Sequence, residues 1–93
     1  MTFSHLEFMS RAGIERQTLE VWIQEEWVVP LGSSEAPEFT EADLARARLI
    51  QDLTRDLGVN AEGVGVVLHL IDQVHDLRHA LADLVAHARN SMG

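Results

Sequence analysis

The sequence predicts a mainly all-α fold: a winged helix-turn-helix with a minimal two-stranded wing, followed by a long coiled-coil-type helix. Three observations point there. Two apolar-periodic segments flank a single glycine, Gly13. A run of strand formers, proline and turn residues, "WVVPLGSSEAPEF", leads into a strongly capped third helix. The last third of the chain repeats apolar residues at alternating spacings of three and four. Residues 1–58 form the winged helix-turn-helix and residues 59–93 the C-terminal helix, together one compact unit.

Ser4 can cap the first helix, with Glu7 at capping-box spacing. Leu6, Phe8 and Met9 give it an apolar face, and Gly13 turns the chain. The second helix runs from Glu15 to about Glu26, with Ile14, Leu19, Trp22 and Ile23 on one side. Helix, short glycine turn and helix make the helix-turn-helix outline. Trp27, Val28 and Val29 then favour a strand, and Pro30 confines it to an edge. Phe39 closes a second short strand, and "LGSSEAPEF" supplies the turn between them.

Thr40 caps the third helix, with Glu41 and Asp43 at its positive end. That helix extends to about Asp56. Leu44, Ala47, Leu49, Ile50, Leu53 and Leu57 form its buried side, and Gly58 follows at its C-terminal end. Asn60 is a candidate cap for the fourth helix, over residues 61–90. Gly63 and Gly65 weaken a helix and make sense where another backbone comes close. Val67, Leu70, Val74, Leu77, Leu81, Leu84 and Ala88 form a heptad seam. A helix of that length, about 45 Å, outruns the core so small a chain can offer. A homodimer is the simplest supplier of the missing partner helix.

The 93 residues carry a formal charge of −8, and every counted cation is arginine. Residues 1–45 hold two arginines, Arg11 and Arg16, against nine acids. From Trp27 to Asp43 there is no Lys, Arg or His. A nucleic-acid binder needs cations that neutralise phosphates. Here the field repels DNA and attracts a basic protein surface. Cysteine is absent, which excludes disulfides and thiolate metal sites. No apolar run reaches the roughly 18 residues of a membrane span, and the N-terminus lacks a signal-peptide pattern. A cytoplasmic protein without membrane attachment is expected.

The first half of the chain resembles the MerR-type winged helix. "AGIERQTLEVWIQEEWVVP" is similar to that family's turn, second helix and strand into proline, and "PEFTEADLARARLI" to its aromatic, cap and following helix. In DNA-binding members a Thr-apolar-Arg run and a tyrosine pair follow on the second helix. Here Thr18 and Leu19 precede Glu20, Val21 and Trp22. The family's wing arginines are replaced by Leu31 or Gly32 and by Pro37. The second half, "GVGVVLHLIDQVHDLRHALADL", resembles the C-terminal helix of the CbpM chaperone modulators. The matching positions are Gly63, Val64, Val66, Leu68, Leu70, Ile71, Asp72, Val74 and Leu77. That resemblance implies a regulator that binds the J-domain of a DnaJ-like co-chaperone of the CbpA type and blocks its stimulation of Hsp70. The competing reading is a MerR-type DNA-binding transcription regulator with an atypical acidic surface.

Among the acids, Glu20, Glu25 and Glu26 on the second helix could receive arginine or lysine from a partner. Asp72, Asp76 and Asp83 make an acidic line on the fourth helix. Trp22 and Trp27 either fill the core between helix and wing or offer an interface anchor. The partner-binding expectation is therefore Glu20, Trp22, Glu25, Glu26, Asp72 and Asp76, with the dimer seam at Val67, Leu70, Val74, Leu77, Leu81 and Leu84. His75 and His79 sit four apart on the helix, but on solvent-facing heptad positions and without an HExxH motif, so no metal site is expected. No nucleophile elbow or phosphate loop is present, so neither a cofactor nor an enzyme activity is expected.

Overall fold

A computed structural model describes residues 1–92. In chain order it holds strand β1 (Phe3–Ser4), helices α1 (His5–Ala12) and α2 (Arg16–Gln24), and strands β2 (Leu31–Gly32) and β3 (Pro37–Phe39). Helix α3 (Glu41–Gln51) continues as a π-helical turn, Asp52–Asp56, and helix α4 spans Ala61–Met92. The predicted mainly helical architecture, a winged helix-turn-helix with a long C-terminal helix, is the one observed.

Local chemistry explains the helix ends. The Ser4 hydroxyl accepts from the Glu7 amide at 3.2 Å, and Gly13 closes α1 at φ 69°. Thr40 and Asp43 form a reciprocal capping box. The Asp43 amide donates to the Thr40 hydroxyl at 3.2 Å, and the Asp43 carboxylate accepts from the Thr40 amide at 2.8 Å. Asn60 caps α4 by accepting from the Gly63 amide at 2.8 Å.

The wing departs from expectation in two ways. Trp27 and Val28 are not strand residues. The amides of Glu26 and Trp27 return to the carbonyls of Ile23 and Trp22 at 3.0 and 2.9 Å, which is a Schellman closure of α2. The amides that a strand would use are thereby consumed, and both Trp27 and Val28 turn into the core. The strand starts after Pro30 instead. Leu31 pairs with Glu38 and Gly32 with Pro37. Gly32 is required there: it sits at φ 80°, and a Cβ would lie 2.9 Å from the Ala36 carbonyl. The sheet also has a third strand. β1 pairs with the other side of β3, Phe3 opposite Phe39, giving the antiparallel order β1-β3-β2.

The core lies where α1, α2, α3, β3 and the start of α4 meet. Phe8 stacks on Phe39 with centroids 4.4 Å apart, and Trp22, Trp27, Val28, Leu44, Ala47, Ile50 and Leu53 surround them. Val64 and Leu68 dock α4 onto this core. Leu57, expected to be buried, is 71% exposed. The π turn, closed by the Leu57 amide on the Asp52 carbonyl at 3.1 Å, inserts a residue and rotates Leu57 off the apolar face. Leu6 is likewise exposed. At Gly63 the close neighbour is a side chain rather than a backbone: a Cβ would stand 2.6 Å from Val59 Cγ1. Gly65 faces the Trp27 indole.

Candidate partner-binding surfaces

Three surfaces are built from the elements above. The first is the helix-turn-helix and wing. Glu20 on α2 and Glu25 just after it are exposed, and the wing from Leu31 to Ala36 is solvated. Arg11 lies over the Phe3 ring, 4.7 Å from its centroid. Arg16 and Glu20 share a shallow hollow of about 220 Å³ with His5, Ser34 and Glu35. One arginine and two carboxylates thus line the same hollow.

The second surface is a cleft of about 570 Å³ between the end of α2, the face of α3 and the first half of α4. Trp27, Val29, Leu49 and Ile71 supply apolar lining, and Glu26, Asp43, Arg46, Asp72 and His75 supply polar lining. Arg46 organises it. Its Nη1 and Nη2 donate to both oxygens of Asp72 at 2.6 and 3.1 Å, and its Nε donates to the Trp27 carbonyl. One guanidinium thus ties α3 to α4 and to the segment leaving α2. The hydrogen bond from Arg46 holds the Asp72 carboxyl below the usual carboxylate range, against the opposing effect of partial burial. At the mouth sits Glu26, with φ 61°. This is the left-handed conformation, at a helix-closing position that ordinarily favours glycine.

The third surface is the seam of α4. Leu70, Val74, Leu77, Leu81 and Leu84 are all exposed, Leu77 at 69%; Val67 alone is partly buried. The residues that α4 turns toward the rest of the chain are different: Val64, Leu68, Ile71, Asp72 and His75. At about 100° per residue, the centres of the two stripes lie roughly 140° apart around the helix.

The residues expected to bind a partner are therefore divided. Glu26 and Asp72 meet at the cleft. Glu20 lies in the hollow beside Arg16, while Glu25 and Asp76 are exposed and line neither concavity. Trp22 is corrected from anchor to core, because only 6% of it is exposed. It forms the closing turn of α2 against Trp27. Asp72 is already engaged by Arg46, so it is not a bare acceptor. Asp43, Val29, Leu49 and Ile71 were not anticipated as site residues. No local motif joins them; they converge because Val64 and Leu68 dock α4 on the core and Arg46 bridges α3 to Asp72 and to the Trp27 carbonyl. His75 and His79 approach to 3.2 Å between Nε2 atoms. Among the described residues no group of three or more His, Cys, Asp or Glu converges on one point. Nor is any described helix long and apolar enough to cross a membrane.

The family model described as MerR HTH family regulatory protein matches residues 3–85. No curated protein and no solved structure matches the chain at a significant level.

Proposed function

We propose that this chain, which belongs to the MerR HTH family of regulatory proteins, regulates through protein contacts rather than through DNA. The specific reading is a chaperone modulator of the CbpM type. It binds the J-domain of a DnaJ-like co-chaperone of the CbpA type as a homodimer and blocks its stimulation of Hsp70. The observation that carries this reading is the charge of the helix-turn-helix face. From Trp27 to Asp43 there is no cation, Glu20 is exposed on α2, and Arg16 is flanked by acids. Phosphate contacts supply most non-specific DNA affinity, and this face offers few. A basic protein surface is the complementary partner.

Isothermal titration of the full chain with a recombinant J-domain tests the reading. Binding at micromolar concentration or tighter, with inhibition of J-domain-stimulated ATP hydrolysis by Hsp70, supports it. Silence at that concentration removes it. A second reading, a DNA-binding regulator, is favoured by the family match and by Arg16 on the second helix of the motif. Duplex DNA in low salt separates the two. Affinity that falls steeply with salt points to phosphate contacts and to the second reading.

A further inference from the structure

We infer that the cleft between α3 and α4 is the docking groove for a basic amphipathic helix. This names the surface used in the protein-contact reading above and rests on that reading for its biological partner. Three observations converge. The lining combines apolar and acidic side chains: Trp27, Val29, Leu49 and Ile71 with Glu26, Asp43 and Asp72. Three carboxylates stand against one arginine: Arg46 is spent on Asp72, the Asp43 carboxylate accepts from the Thr40 amide and hydroxyl, and Glu26 has no described partner. The groove thus presents uncompensated negative charge to an incoming segment.

Its shape is the second observation. The walls are two helices, α3 from Ala42 to Leu49 and α4 from Ile71 to His75. Each wall is one to two turns long, which suits a third helix that inserts apolar anchors at i, i+3 or i+4 spacing. Val29 is 67% exposed at the groove although it is a large aliphatic residue.

The third observation is Glu26. A glycine at its position would adopt φ 61° without steric cost. Instead a glutamate holds that conformation and sets a carboxylate at the mouth of the groove. Residues kept in sparsely populated backbone regions cluster at functional sites. Here the side chain supplies the function and the backbone bears the strain.

The experiment uses the full chain and two probes. One is a Leu/Lys peptide with leucines at amphipathic helical spacing, and the other is a recombinant J-domain. Glu26→Gly removes the carboxylate and relieves the backbone, so the melting temperature should hold or rise while affinity falls about three- to fivefold. Val29→Arg puts a cation and a polar end at an exposed site, and should weaken binding by about tenfold or more with little effect on folding. Glu62→Gln, exposed near the start of α4 and lining neither concavity, should leave affinity within about twofold.

That pattern on either probe supports the groove. Unchanged affinity in both cleft variants overturns it. So does an equal loss in Glu62→Gln, since binding would then follow overall charge, and so does failure of both probes to bind. If the peptide docks with the expected pattern and the J-domain does not bind, the groove stands and the co-chaperone reading falls. If the J-domain binds and neither probe responds to the cleft variants, the groove falls and that reading stands.

Discussion

Arg46→Met should cost far more stability than Asp72→Asn, although the two residues form one ion pair. Methionine keeps the aliphatic stem and a comparable helix propensity, so only the guanidinium is lost. Its side chain is 21% exposed and that of Asp72 is 53% exposed. The pair is therefore screened, and bidentate geometry lifts it only to about 0.5 kcal/mol. The bond from Nε to the Trp27 carbonyl lies deeper. A charged donor on a partly buried acceptor is worth about 1.5 kcal/mol, and its loss leaves the carbonyl unpaired. Together these give about 2 kcal/mol for Arg46→Met and about 0.5 kcal/mol for Asp72→Asn. For a domain of this size that is a drop of roughly 8–16 °C against 2–4 °C.

Thermal denaturation at fixed protein concentration, with the double variant closing the cycle, reads both values and their coupling. The coupling should also vanish in acid. The folded Asp72 carboxyl lies below its unfolded value, so its contribution is complete above about pH 4. It is lost as the pH falls through the lower folded value. If Asp72→Asn is as damaging as Arg46→Met, and the coupling equals the whole cost, the Trp27 carbonyl contributes nothing. The account of how α4 is held would then be wrong.

Other outcomes follow from the same geometry. Thr40→Ala removes one half of the capping box on α3 and should lower stability by about 1 kcal/mol, read by urea denaturation with an unchanged slope. Phe39→Ala deletes a fully buried ring stacked on Phe8. It should cost about 3–5 kcal/mol, so far-ultraviolet dichroism at 37 °C should show an unfolded chain, while Phe39→Leu remains folded. Leu77→Glu places a charge in the exposed seam. Sedimentation should show the proposed dimer reduced to monomer; an unchanged sedimenting species would mean that the seam is not the interface.

What could be read from the sequence was mostly what local spacing decides. The caps Ser4, Thr40 and Asn60 and the turns at Gly13 and Gly58 are set by residues within a few positions of one another, and each forms as expected. The strand at Trp27–Val29 was misplaced because α2 closes through a glutamate at φ 61°. Nothing in a Glu-Glu-Trp sequence announces a left-handed residue that diverts two strand formers into the core. The two-residue strand β1 was invisible because Ser4 reads as a cap, and it serves as both. The cleft was illegible for a different reason. Glu26, Asp43 and Asp72 are far apart in the chain, and they converge only once α4 docks on the core and Arg46 bridges to it.

Helix α4 shows why a single periodic reading could not assign its faces. Two apolar stripes overlap in its first turns, Val64 and Leu68 on one side and Val67 and Leu70 on the other. The heptad pattern selects the second stripe because it repeats, while the first is the one that docks on the core. Past His75 the first stripe ends, and every residue with described side-chain burial is exposed. A helical segment of that length without tertiary support is marginal in water. The seam it carries therefore has a thermodynamic reason to be covered. Because the seam and the cleft lie on separate faces of the helix, covering one leaves the other open. A chain that pairs through Leu77 and Leu81 can still present Glu26, Val29 and Ile71 to a basic helix. Dimerisation and partner capture should therefore be separable by mutation. Leu77→Glu should change the sedimenting mass without closing the cleft, and Val29→Arg should weaken docking without changing the mass.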